Sequence, residues 1–219
     1  MILIDTVYQK VLTFANKEQR GYITPQQFNL FADMAQKEIF EQYFYDLNQA
    51  ARIPGSTGEY SDVASNLNEK IAIFEKTGTG LTLPENLYRL GDVTCDGYGV
   101  EEVQQNELLL MNQSYLTAPT KKRKVYVRTG DKSIVITPTP ATNGFNYVAS
   151  PSKPSWGYVV VNQRAMHDSS NTDNFELHQA EESELVYRIL AFAGISMKKP
   201  DLTQAAVGME TAKVQQEKQ

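Results

Sequence analysis

The sequence is short of the residues that most enzyme chemistry needs. Among 219 residues it has one cysteine, Cys95, and two histidines, His167 and His178. A single cysteine excludes an intrachain disulfide and fits assembly in a reducing cytoplasm. Neither histidine has a second histidine or a cysteine at metal-ligand spacing. No serine-hydrolase elbow, Walker motif or zinc signature occurs. Catalytic, cofactor-binding and metal-binding residues are therefore expected to be none, and the chain reads as no enzyme. No run of about 18 apolar residues exists to span a membrane. The opening Met1-Ile2-Leu3-Ile4-Asp5 reaches an acid too early for the apolar region of a signal peptide. No repeat is visible, which argues against a fibre. Basic charge is scarce as well: 21 Lys and Arg against 26 Asp and Glu give a formal charge of -5. That balance disfavours a dedicated DNA-wrapping protein, because such affinity comes mostly from phosphate neutralisation.

What the sequence does have is amphipathic helix at both ends. Thr24-Pro25-Gln26-Gln27 combines an N-cap, a proline at the first helical position and a Thr-x-x-Gln capping box. Ile23 is placed to staple against Phe28. Phe28, Phe31, Ala32, Ala35, Ile39 and Tyr43 then recur at three- and four-residue spacing. This predicts a helix to Asn48 with Phe28, Phe31 and Ile39 in the core. Phe40, Phe44, Tyr45 and Leu47 make its second half apolar nearly all round. Asp5 to Asn16 predicts an earlier helix capped by Asp5 or Thr6, with Val7, Tyr8, Val11, Leu12 and Ala15 on one face. A polar break at Lys17–Gly21 makes the pair a helical hairpin. The loop Ile53–Gly58 precedes a third helix over Asp62–Lys76, carrying Val63, Leu67, Ile71 and Phe74. Thr77-Gly78-Thr79-Gly80 reads as its terminator, since no strand precedes it as a phosphate-binding turn would need.

Leu81 to Val161 reads as a β-rich block. Leu87–Thr94 and Gly99–Val103 predict two strands joined through Cys95-Asp96-Gly97-Tyr98, and Gln105–Tyr115 a short helix with Leu108, Leu109 and Met111. Val125–Val127 and Ser133–Ile136 flank a Thr129-Gly130-Asp131 turn. Prolines 138, 140, 151 and 154 with Asn143 and Gly144 mark an irregular connection before a final strand, Trp156–Val161. Helix returns after an extended Phe175-Glu176-Leu177 and a His178 cap. There Leu185, Val186, Ile189, Leu190 and Phe192 form a buried face and Gly194 a C′ stop. Pro200 opens a last helix whose large apolar residues are few: Leu202, Val207, Met209 and Val214. Gly208 weakens it by about 1 kcal/mol relative to alanine. Asp201–Gln219 is therefore expected to be mobile in the free chain and ordered against a neighbour, with Leu202, Val207 and Met209 as anchors. The fold class is α+β, a helical bundle built from N- and C-terminal helices with an inserted β-rich block. The expected divisions are 1–80 with 163–219, and 81–162.

Few residues stand out as sites. Each histidine reads as a cap or surface residue. Cys95 lacks a basic sequence neighbour to make it a thiolate. Glu181-Glu182-Ser183-Glu184 reads as dipole compensation in a first helical turn rather than as cation binding. Lys121-Lys122-Arg123-Lys124 is the one strong charge cluster. It reads either as an electrostatic contact with nucleic acid or an acidic partner, or as solvated charge guarding the strand behind it.

Residues 17–29, Lys17-Glu18-Gln19-Arg20-Gly21-Tyr22-Ile23-Thr24-Pro25-Gln26-Gln27-Phe28-Asn29, together with Gln42–Asn48, resemble the N-terminal region of virion proteins from short-tailed, podovirus-like and crAss-like bacteriophages. Phe175-Glu176-Leu177-His178, Glu184-Leu185-Val186 and Ala193-Gly194-Ile195 resemble the C-terminal region of the same group. About a third of the chain is covered. The resemblance implies a head-to-tail connector: an adaptor ring of twelve subunits, docked below a portal protein that its C-terminus grips. It also implies a downstream tail or nozzle protein, and DNA that passes through the channel without sequence-specific binding. Virion location at the head–tail junction, after assembly in the host cytoplasm, follows. The rival expectation is a DNA-binding or packaging accessory protein that uses Lys121–Lys124.

Overall fold

The computed structural model describes residues 1–16, 23–50, 63–140, 142–196 and 200–217. In chain order its elements are α1 (Ile4–Asn16), α2 (Pro25–Ala50), α3 (Val63–Ala72), β1 (Glu75–Thr79), β2 (Leu87–Cys95), β3 (Tyr98–Glu102) and α4 (Gln105–Gln113). There follow β4 (Val125–Arg128), β5 (Ile134–Thr137), β6 (Asn143–Ala149), β7 (Tyr158–Val161), β8 (Arg164–His167), α5 (Glu182–Ser196) and α6 (Pro200–Glu217). The fold class is α+β. Two compact units form, residues 1–73 with 151–219, and residues 74–150. Those divisions replace the ones expected after residues 80 and 162. The polar break at 17–21 and the loop at 53–58 lie outside the described residues.

In the first unit, the Thr24 capping box forms reciprocally. The Gln27 amide donates to Thr24 Oγ1 and the Thr24 amide to Gln27 Oε1, both at 3.2 Å. Phe28, Ala32, Ala35, Ile39, Phe40 and Tyr43 make the buried face of α2, and the staple pair Ile23 and Phe28 is buried. Phe31 is only half-buried, its ring 6.3 Å from that of Phe192, which is itself half-buried. The far half of α2 is less covered than its composition implies, because Tyr45 is exposed and Phe44 and Leu47 are half-buried. α1 begins at Ile4, and its cap is remote: the Ile4 amide donates to Asn174 Oδ1 at 3.0 Å. Neither Asp5 nor Thr6 serves. The helix that touches most others is α5, which packs against α1, α2 and α6.

Trp156 is expected in a strand and lies instead in irregular backbone, pinned on three sides. Its Nε1 donates to Asp5, its amide donates to Asn29 Oδ1, and its ring sits 4.1 Å from Tyr8. The buried Gln36 plays a similar part. Its amide nitrogen donates to the Ser152 carbonyl at 2.7 Å and its oxygen accepts from the Glu176 amide at 3.1 Å. Two polar residues of α2 therefore fix the irregular segment that no periodicity predicts. The strand expected at the end of the β block, β7, pairs only with β8 in a separate hairpin of the first unit. Asn162 and Gln163 take positive φ at its turn.

The second unit is a curled sheet in the order β1-β6-β2-β3-β4-β5. Every pair is antiparallel except β3–β4, which α4 links as a crossover. The Leu83 amide bonds the Lys132 carbonyl and the Ile134 amide the Leu81 carbonyl, so the chain beyond β1 meets the start of β5. Leu83, Val93, Cys95, Tyr126, Ile134, Ile136 and Phe145 fill the curl. Asp96 and Gly97, both at positive φ, make the tight turn from β2 to β3 that the sequence predicts. Two expectations fail here. The third helix stops at Ala72, and Thr77–Thr79 belongs to β1 rather than to a helix terminator. Gly78 lies flat beneath Phe145, where a Cβ would come within 2.5 Å of the ring. The proline-flanked connection contains β6, which pairs with β1 on one side and β2 on the other.

Candidate functional site

The basic segment is split by burial. Lys121, Lys122 and Arg123 are exposed, but Lys124 is 6% exposed and its Nζ is paired with the Asp96 carboxylate. Asp96 also accepts the Thr142 amide at 2.9 Å and the Thr142 hydroxyl at 3.1 Å. The Lys124 hydrogen bond, reinforced by Thr142, holds the Asp96 carboxyl down at about 2. Lys124 is thus a fastener of the β2–β3 turn and not part of a contact surface. The expected cluster of four becomes a cluster of three. Beside it, burial pushes the Cys95 thiol up, and Lys124 offsets only part of that. On β4, burial and a 2.9 Å bond to Glu102 push the Tyr126 phenol up to about 12.

The residues leading into this segment are apolar and uncovered. Leu108 and Met111 of α4 pack against Val103, Val125 and Val127. Leu109 and Leu110 face outward, and the turn that follows presents Tyr115 at 98% and Leu116 at 93% exposure. A second exposed apolar group, Val159, Val160, Val161 and Met166, lies on the β7–β8 hairpin of the first unit.

Two acids of the run that opens α5, Glu181 and Glu184, belong to a buried ion network. Glu181 is 1% exposed and pairs with Lys70 of α3 at 2.5 Å and Lys213 of α6 at 3.2 Å. Glu184, also buried, pairs with Arg188 at 2.7 Å and with the same Lys213 at 3.4 Å. Arg188 goes on to Glu38 of α2 and Glu210 of α6, each at 3.2 Å. Burial lifts the Glu181 carboxyl, yet Lys70 and Lys213 together outweigh it and leave the group below its ordinary value. Glu184 ends above its ordinary value, because burial and the neighbouring Glu181 outweigh Arg188 and Lys213. Glu182 and Glu184 do lie in the first turn of α5, as dipole compensation expects. Glu182 pairs at the surface with Lys10, and what the sequence does not show is the burial of Glu181 and Glu184.

This network changes the reading of the C-terminus. α6 packs along α5 within a single chain, held by Lys213, Glu210 and the buried Ala206. Asp201–Gln219 is expected to be mobile in the free chain for want of large apolar residues; its helix α6 instead packs on α5 of the same chain, with charge and small residues in place of a large apolar face. Gly194 is not a C′ stop but lies inside α5, where a Cβ would sit 2.5 Å from Thr203 Oγ1 and 3.0 Å from its amide nitrogen. Of the three expected anchors, Val207 and Met209 are exposed. Leu202 lies in α6, and its side chain is outside the described residues.

A cavity of about 360 Å³ borders the network, lined by Tyr43, Asp46, Lys70, His178, Glu181 and Glu184 among others. Of its charged groups, Lys70, Glu181 and Glu184 belong to the ion network, and Asp46 accepts from the Gln42 side-chain amide at 3.1 Å. His178 Nδ1 accepts the Ala180 amide at 3.2 Å, the cap its position predicts. His167 stacks on Trp156 with ring centroids 5.6 Å apart. Among the described residues no group of three or more His, Cys, Asp or Glu is placed to hold a metal ion. No described helix is long and apolar enough to cross a membrane. Compared with known proteins, the chain matches no family model and no curated protein sequence.

Proposed function

We propose that the chain is a structural virion protein, a head–tail connector of a short-tailed bacteriophage. It forms a ring below the portal, joins the portal to the tail or nozzle, and leaves a channel for DNA. In this reading the first unit is the helical bundle of the ring and the second its inserted β block. The role is non-enzymatic. The observation that carries it is the amount of large apolar surface left uncovered on one chain: Leu109, Leu110, Tyr115 and Leu116 in one unit, and Val159, Val160, Val161 and Met166 in the other. Apolar patches on a soluble chain mark surfaces meant for partners. The sequence resemblance supplies the kind of partner.

The rival, a DNA-binding accessory protein, loses one of its four cations to the Lys124–Asp96 pair. The test is to mix the purified protein with portal and image the particles. Twelve-membered rings seated on the portal are the expected result. A chain that ignores the portal but is retained on duplex DNA, with retention falling steeply as salt rises, would establish the rival instead.

A further inference from the structure

Two surfaces, one on each unit, both carry exposed large apolar side chains and differ in the sign of their charge. On α2 the exposed residues Leu30, Met34, Glu38, Glu41 and Tyr45 follow one another at spacings of four, four, three and four. At 3.6 residues per turn they occupy an arc of roughly 80°, so they form one stripe about 22 Å long. The stripe is apolar at both ends and carries two acids in the middle, Glu41 and Glu38, of which Glu38 also meets Arg188 of its own chain at 3.2 Å. Lys37 at its margin is neutralised by Asp33 at 2.8 Å. On the second unit, the segment from α4 onward presents Leu109, Leu110, Tyr115 and Leu116, followed by Lys121, Lys122 and Arg123. No described acid is ion-paired with these three cations. The chain as a whole is acidic, at -5, and without those three it is more acidic still.

We infer that the apolar–basic segment of one copy docks on the apolar–acidic stripe of α2 in the next copy. The occupant of each surface is thus a second copy of this chain. Charge complementarity favours it over the other candidates: nucleic acid or an anionic membrane would meet the three cations but leave Glu41 and the apolar ends of the stripe uncovered. Because the two surfaces differ, the contact is heterologous and runs head to tail, the type that generates rings when the rotation closes. This inference rests on the ring reading and names its subunit contact.

The test uses two full-length variants and sedimentation velocity, with and without portal. One carries Lys121→Glu, Lys122→Glu and Arg123→Glu; the other carries Glu41→Lys, which leaves the Glu38–Arg188 pair intact. Circular dichroism and thermal melting confirm that each is folded. Each variant alone should associate about tenfold or more weakly than the parent chain, because like charges then face each other across the contact. An equimolar mixture should assemble again, since every contact between unlike copies regains opposite charges. Parent rings with both variants assembling unchanged would overturn the contact and leave the ring reading standing. A parent chain that never associates, even on portal, would end both. Assembly lost only in the triple variant, together with loss of binding to duplex DNA or anionic vesicles, would give the cations to that partner and overturn the inference.

Discussion

Asp96 sits at the tip of the β2–β3 hairpin with Lys124 and Thr142 converging on one carboxylate. Its folded value of about 2 lies below the usual 3.8. A depressed acid contributes stability fully above its unfolded value and loses it as pH falls through the folded one. The second unit should therefore weaken between about pH 4 and pH 2, and Asp96→Asn should flatten that part of the profile. Denaturant titrations at several acidic pH values read the difference; an unchanged acid slope in the variant would refute the fastening role. Phe28 and Phe31 test burial on the same helix. Phe28→Ala should cost about 3–5 kcal/mol, whereas the half-buried Phe31→Ala should cost about 1–2 kcal/mol. Chemical denaturation of both variants measures the gap.

The pair of glycines in and around α6 shows how an element is held. Alanine replacing glycine inside a helix usually adds about 1 kcal/mol. Gly208 has open space where a Cβ would go, so Gly208→Ala should stabilise the protein by that order. Gly194→Ala should do the opposite, because its Cβ would strike Thr203, whose backbone cannot move without lifting α6. Hydrogen exchange at α6 amides should quicken in Gly194→Ala and slow in Gly208→Ala. The helices were legible in the sequence wherever an apolar stripe or a cap is local: Thr24 with Gln27, Pro200, and the buried faces of α2 and α5. What was hidden depends on residues far apart along the chain. β6 begins with Asn143 and Gly144 among prolines and becomes a strand through partners on both sides. Lys124 finds Asp96, and Glu181 finds Lys213, across intervals that leave no periodic trace. Gly194 resembles a helix stop, and only the approach of Thr203 reveals its packing role.

For the whole molecule, the packing of α6 on α5 alters how the proposed portal contact of the C-terminus can be tested. Deleting residues 201–219 would remove Lys213 and Glu210 and strip the buried Glu181 and Glu184 of a cation. Such a truncation confuses lost folding with lost attachment. Val207→Asp with Met209→Asp is the cleaner probe, because both side chains are exposed. The double variant should melt near the parent temperature and fail to cosediment with portal. Undiminished cosedimentation would move the portal contact away from α6.

The second unit also has a mechanical property. The Ala149 amide bonds the Phe74 carbonyl, and Glu75 stands opposite Val148, so the chain enters and leaves this unit through adjacent, antiparallel strands at the same end. Tension on residues 73 and 151 therefore loads the ladder one hydrogen bond at a time, as a zip is opened, instead of shearing all of it together. The β1–β6 seam, whose first rungs are Glu75 opposite Val148 and Lys76 opposite Tyr147, is therefore the part of the second unit that takes such a load first.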